Sequence, residues 1–209
     1  MHILIAAATL KEIEPFVKLS PQTDTLITGV GTPGTIYNLQ KRMQLRKYDL
    51  IIQAGIAGSF AYEFLPGQVV LVGEDRFGDL GIEEGGRFST IFERGFSQED
   101  EFPFKEGWLV NDHPFIRRSS MVKARGITVN KVSDDPAQNR LLLSKFNPDV
   151  ETMEGAAFHY VCLMEKLPFL QIRAISNQVG ERDRNKWRIP LAIDQLNTAL
   201  RLLVDQLSG

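Results

Sequence analysis

Three short runs of this chain, residues 2–8, 49–54 and 169–175, are apolar with almost no interruption. Successive side chains of a strand point to opposite faces, so a strand that is apolar on both must be covered on both. Helical spacing fills the intervals. Ile36, Leu39 and Met43 lie on one face of a predicted helix ending near Arg46, and Ile193, Leu196, Leu200, Leu203 and Leu207 form one stripe after Pro190. Residues 155–164 are apolar nearly all round, the mark of a buried helix. Strands and helices in alternation predict an α/β protein, a three-layer α/β/α sandwich around one mostly parallel or mixed sheet. With 209 residues the chain is long enough for one sizeable core, and no linker divides it, so residues 1–209 are expected to form a single domain.

The remaining punctuation refines this outline. A strand at residues 25–28 runs into Gly29-Val30-Gly31, and the strand at 49–54 enters a second small-residue turn, Gly55-Ile56-Ala57-Gly58-Ser59. Pro66-Gly67 precedes a strand at 68–73, and residues 126–132 alternate as another. Asp134-Asp135-Pro136 predicts a helix start, with Asn147-Pro148 closing that helix. Residues 82–105 show no sustained period and are expected to form a long excursion, a lid or an oligomer contact. Its phenylalanines, Phe88, Phe92, Phe96, Phe102 and Phe104, require that part of it be buried.

Composition removes several classes of function. A net charge of -2 lacks the basic excess that nucleic-acid binding needs, and no apolar run approaches bilayer length. The N-terminus shows no basic region or cleavage pattern, so a cytoplasmic protein with no membrane partner is expected. A single cysteine, Cys162, excludes an intramolecular disulfide framework, and no His or Cys cluster has metal-ligand spacing. Gly29-Val30-Gly31 lacks the third glycine and the following acidic residue of a dinucleotide site. Neither a metal nor a cofactor is expected.

Ligands of α/β proteins bind at the carboxyl ends of the strands. Glu12, the two glycine turns, Met153-Glu154 and Ser176-Asn177 all fall at such ends, toward one mouth. Bland alternatives stand beside each. Glu12 and Glu14 also fit as partners of a helix macrodipole, and the glycine turns fit close strand-to-helix packing. His2, His113 and His159 have no evident role, and no histidine, serine and aspartate arrangement is legible. Carboxylates, an amide and small backbone turns suit a neutral polyhydroxylated ligand carrying an aromatic base.

These residues resemble the nucleoside phosphorylase and nucleosidase superfamily, which cleaves N-ribosidic bonds. The resemblance runs over nearly the whole chain. Met153-Glu154-Gly155-Ala156-Ala157 is similar to the family's ribose-holding signature, and Arg173-Ala174-Ile175-Ser176-Asn177 to the strand end that contacts the purine. The segment from Ala8 to Glu12 looks like the one that supplies a water-activating carboxylate in the hydrolytic members. With Asp79-Leu80-Gly81 and the stretch from Ser176 through Trp187, the combination is most similar to the futalosine hydrolase branch, whose reaction belongs to menaquinone synthesis.

The resemblance implies a nucleoside phosphorylase-like fold, Glu12 and Asn177 as catalytic residues, and Gly55, Met153, Glu154, Ser176 and Arg184 as substrate contacts. It also implies a small nucleoside substrate and a homo-oligomer. Two departures sharpen it. Asn177 stands where the methylthioadenosine nucleosidases carry an aspartate, and an amide nitrogen only donates, which suits N7 and O6 of a 6-oxopurine. Gln53 stands where the bacterial phosphorylases carry a phosphate-holding arginine, which favours water as the nucleophile. Arg184 admits two readings, a partner for a substrate carboxylate or a member of local ion pairs.

Overall fold

The computed structural model describes residues 1–181 and 183–208, and the side chains of Arg184 and Ser208 lie outside the described residues. The elements run β1 (Ile3–Ala7), α1 (Leu10–Leu19), β2 (Asp24–Ile27), α2 (Thr32–Leu45), β3 (Leu50–Ser59) and β4 (Val69–Asp75). A hairpin follows, β5 (Gly81–Glu84) and β6 (Arg87–Thr90), then β7 (Leu109–Val110), α3 (Pro114–Arg118) and β8 (Val122–Thr128). The last third holds α4 (Pro136–Phe146), β9 (Val150–Thr152), α5 (Gly155–Met164), β10 (Phe169–Gln178) and α6 (Ile189–Ser208).

Strand β1 shows why three layers form. Its odd residues, Ile3, Ile5 and Ala7, pack with Ile13 and Phe16 of α1 and with Leu196 and Leu200 of α6. Its even residues, Leu4 and Ala6, pack on the other face with Leu39 of α2 and with Phe158 and Cys162 of α5. A strand apolar on both faces is thus covered on both, as its composition requires. Among the described residues no helix is long and apolar enough to cross a membrane.

The sheet is mixed and bends back on itself. Strand β10 pairs in parallel with β3 and antiparallel with β4. From β4 the ladder passes to β8 and β9, and β9 returns antiparallel to β3, so five strands close a ring. Strand β3 forks. Along one edge it pairs with β10 over its whole length, while along the other it pairs with β1 at residues 50–53 and with β9 only at 58–59.

Four expectations are corrected. Gly55 to Ser59 do not turn: β3 continues through them to pair with the end of β10, and the missing side chains of Gly55 and Gly58 admit neighbouring groups. Strand β8 lies at Val122–Thr128, upstream of its expected place, its polar first half being paired in the ring. The three-residue β9, too short to show a period, was not expected at all. The excursion is not structureless, since it opens with the β5/β6 hairpin, and Phe92 and Phe104 stack edge to face at 5.2 Å. Phe96 and Phe102 remain exposed on its surface.

Candidate active site

Glu12 occupies the third position of α1, where a helix N-terminus favours a carboxylate. It is buried, and its oxygens are held from two sides. Oε2 accepts the Thr9 amide at 2.9 Å and the Thr9 hydroxyl at 3.0 Å, and Oε1 accepts the Ile56 amide of β3 at 3.2 Å. Each bond uses one lone pair of a four-lone-pair group, so capacity remains for a water.

Glu154 lies across the pocket as the N-cap of α5. Its Oε1 accepts the Gly31 amide at 2.9 Å. Gly31 has φ 89°, open only to a residue without a side chain at low cost, so the Gly29-Val30-Gly31 turn delivers an amide to this carboxylate. Two hydroxyls fix where α5 begins: Thr152 Oγ1 accepts the Gly155 amide at 3.1 Å and Thr128 Oγ1 the Ala156 amide at 2.7 Å.

Arg173 is the residue that sequence reasoning missed. It is fully buried in β10, with Nη1 3.8 Å from Glu154 Oε2 and Nη2 donating to Gln53 Oε1 at 2.7 Å. Gln53 therefore faces a protein cation, as a neutral acceptor. Gly55 sits beneath this guanidinium. A methyl added there would stand 2.3 Å from Arg173 Nη1 and 3.0 Å from Glu12 Oε1. Gly55 makes room for the charged groups, while Ile56, Ala57 and Gly58 form the pocket wall. The available signal was an arginine in the middle of an otherwise apolar strand, a position that demands a buried anion.

The Asn177 end of the pocket is built by a bulge. Ile175 pairs with Ala57 and Asn177 with the very next residue, Gly58, so Ser176 is the extra residue in β10. Such bulges re-aim side chains beside sites. Ser176 Oγ lies 2.7 Å from Asn177 Oδ1 and 3.1 Å from the Ala57 carbonyl. Asn177 Nδ2 donates to the Gln178 carbonyl at 2.8 Å, and because that oxygen only accepts, the amide's orientation is fixed. One N–H of Nδ2 remains for a ligand.

Glu12, Glu154, Ser176 and Asn177 line one cavity of about 360 Å³, within the usual range for small-molecule sites. Met153 and the apolar side chains of Val30, Val132, Trp187 and Ile189 complete its walls. Trp187 is anchored by Nε1 to the Glu181 carbonyl at 2.7 Å, and the Arg188 amide ties the loop end to the Ser176 carbonyl at 2.8 Å. Arg184 begins a single 3-10 turn, and its side chain, like all of Arg182, lies outside the described residues. The loop does hold a local ion pair, Lys186 with Glu181 at 2.7 Å. The structure thus gathers Glu12, Met153, Glu154, Ser176 and Asn177 around one cavity and leaves Gly55 just behind it.

A sheet whose strand ends converge on two buried carboxylates and an amide is the arrangement of a nucleoside-cleaving fold. Residues 25–206 match the model of the phosphorylase superfamily, and the chain belongs to that superfamily. It is similar to the futalosine hydrolase of Thermus thermophilus, 29% identical over 187 residues that cover 88% of this chain and 82% of that protein. It is also similar to the futalosine hydrolase of Streptomyces coelicolor, 28% identical over 239 aligned residues that cover all of this chain and 97% of the relative. The methylthioadenosine/S-adenosylhomocysteine nucleosidase of Neisseria meningitidis, solved with methylthio-immucillin-A, shares the fold with a TM-score of 0.82 at 14% identity, covering 98% of each chain.

Proposed function

We propose that this protein hydrolyses the N-ribosidic bond of futalosine, releasing hypoxanthine, as a cytoplasmic step of menaquinone synthesis. The observation that carries the reading is the fixed amide of Asn177, which keeps one N–H for the base while its oxygen is turned to the Ser176 hydroxyl. Hypoxanthine presents acceptors at both N7 and O6, whereas adenine presents an amino donor at the second position. An unpaired polar contact in a dry site costs roughly 1–3 kcal/mol, enough for a tenfold preference.

In the proposed mechanism Glu12 orients and deprotonates a water against C1′. Glu154 accepts hydrogen bonds from the ribose hydroxyls, with Met153 against the sugar. Asn177 and Ser176 hold the purine as negative charge develops on it, and Asn177 stabilises that charge by hydrogen bonding without protonating the ring. Gln53 supports water over phosphate, because the guanidinium it binds, Arg173, is already committed to Gln53 and Glu154. A binding protein without catalysis would have no use for Glu12 poised beside the sugar.

The decisive experiment measures hypoxanthine release from futalosine and adenine release from methylthioadenosine, with and without phosphate. Phosphate-independent hypoxanthine release is expected. Adenine release alone, or a requirement for phosphate, would overturn the reading in favour of a methylthioadenosine nucleosidase or an inosine-type phosphorylase.

The carboxylate at the far end of futalosine needs a cation, and Lys11 lines the pocket mouth. It sits in the first turn of α1, where a cation opposes the helix macrodipole, and Glu14 pairs instead with Lys18 at 2.7 Å. Replacing Lys11 by Ala is expected to raise KM for futalosine several-fold, on the order of one exposed ion pair, and to leave inosine cleavage unchanged. The same comparison with Arg184→Ala assigns the contact, since a loss shared equally by both substrates excludes a carboxylate role for either residue. The homo-oligomer implied for the family would cover the exposed Phe96 and Phe102 of the excursion.

A further inference from the structure

Asp75, the last residue of β4, is completely buried directly beneath the start of α5. Two glycines make the space for its carboxylate. A methyl on Gly155 would stand 2.0 Å from Asp75 Oδ2, and one on Gly126 would stand 2.5 Å from it. Its Oδ1 accepts the Thr128 hydroxyl at 3.0 Å, and its Oδ2 accepts Gln171 Nε2 at 3.3 Å. Thr128 Oγ1 in turn accepts the Ala156 amide at 2.7 Å and lies 3.2 Å from Thr152 Oγ1, which holds the Gly155 amide. The chain of contacts therefore runs from Asp75 through Thr128 to the first amides of α5, and Glu154 is the residue immediately before them.

A buried acid in this place is costly. Burial raises its carboxyl to about 7, against the pull of the Thr128 hydroxyl, the more distant Arg173 and the amide of Gln171. An apolar side chain in its place would carry no such cost. What an apolar filler lacks is direction. Thr128 donates to Asp75, which leaves its lone pairs pointing at the Ala156 amide and sets the entry angle of α5.

We propose that Asp75 is a positioning residue for Glu154, acting through Thr128 and the N-terminus of α5 to hold the ribose-binding carboxylate in register with Glu12. The inference rests on the assignment of Glu154 to the ribose. Misplacement of such a group by a fraction of an ångström is expected to lower kcat/KM about tenfold or more.

The test exploits the fit between Asp75 and Gly126, which lies in β8 away from the α5 cap. Asp75→Ala leaves a void that the methyl of an added Gly126→Ala occupies, its tightest remaining contact being the Val72 side chain at 3.0 Å. The double variant is expected to recover thermal stability relative to Asp75→Ala while kcat/KM stays about tenfold below wild type. Recovery of activity together with stability would reduce Asp75 to a space filler and overturn the proposal. A second arm stands if the alanine variants fail to fold. Asp75→Asn, nearly isosteric, is combined with Glu154→Gln, and the loss from Asp75→Asn is expected to disappear in the Glu154→Gln background. Full additivity would show that Asp75 does not act through Glu154. Any nucleoside that the wild type cleaves serves as substrate. Failure of futalosine hydrolysis therefore sinks the functional proposal alone, and failure of these arms sinks only the role of Asp75.

Discussion

At the carboxylate end of the pocket, Glu12 and Glu154 take hydrogen bonds from backbone amides of other segments, Ile56 of β3 and Gly31 before α2. At the amide end, Asn177 is bonded to Ser176 and Gln178, its own neighbours in β10. Glu12 is also held by Thr9 of its own helix start, but each carboxylate has an anchor from a distant segment, whereas the polar contacts of Asn177 itself lie within its own strand. On the proposed reading, the groups that would meet every ribonucleoside alike are thus fixed before substrate arrives, which is where preorganisation gives most to catalysis. The group proposed to tell one base from another hangs on a bulge whose chemistry a single substitution can change.

The contrast is broken most forcefully at Glu12. Glu12→Gln removes the base, and kcat is expected to fall by about 10²–10⁴. Both carboxylate oxygens accept backbone amides, so the new NH2 must face one of these donors, and stability is expected to fall by roughly 1–3 kcal/mol. Turnover within tenfold of wild type would remove Glu12 from water activation. Arg173→Leu tests the locking itself. It strips the cation from beside a buried carboxylate, and urea denaturation is expected to show a loss of roughly 3–5 kcal/mol. A loss well under 1 kcal/mol would mean that the two carboxylates hold each other's surroundings without it.

At the amide end, Asn177→Asp places an oxygen against the Gln178 carbonyl at the 2.8 Å now spanned by Nδ2, so the half-buried side chain is expected to turn away from that carbonyl while the fold is kept. The ratio of kcat/KM for 6-oxo over 6-amino nucleosides is expected to fall about tenfold. An unchanged ratio would refute the amide as base reader.

The smallest effect is a slope. Burial holds Asp75 up to about 7 from 3.8 and pushes His159 down to about 4 from 6.5. Over roughly that interval the folded state binds Asp75's proton that the unfolded chain has released, so this term lowers stability as pH rises. His159 acts oppositely, because only the unfolded chain binds its proton there, so stability falls as pH drops toward 4. The two slopes offset. Asp75→Asn is expected to leave the His159 slope alone, and denaturation midpoints between pH 4 and 7 should then rise more steeply with pH than in wild type.

The layers were legible in the sequence because β1, β3 and β10 carry apolar residues on both faces, and the cavity residues because they sit where those strands end. The ring was not legible, since it depends on β9, whose three residues have no period. Gly55 to Ser59 read as a turn because small residues mark turns and close approaches alike, and only the position of Arg173 distinguishes the two. Asp75 and Gln171 gave no signal either. Each stands in a strand beside ordinary neighbours, and their meeting at Gly155 is purely a matter of long-range pairing.

The fork in β3 has a larger meaning than topology. Between Gln53, where β1 leaves, and Gly58, where β9 arrives, one edge of the strand has no ladder partner among the described residues, and the Ile56 amide that points out of that gap is the one Glu12 accepts. A side chain has taken the berth of a missing strand. Two more residues of β1 or β9 pairing would zip the gap shut and leave the carboxylate without its anchor. Catalysis here would depend on a sheet that stops short.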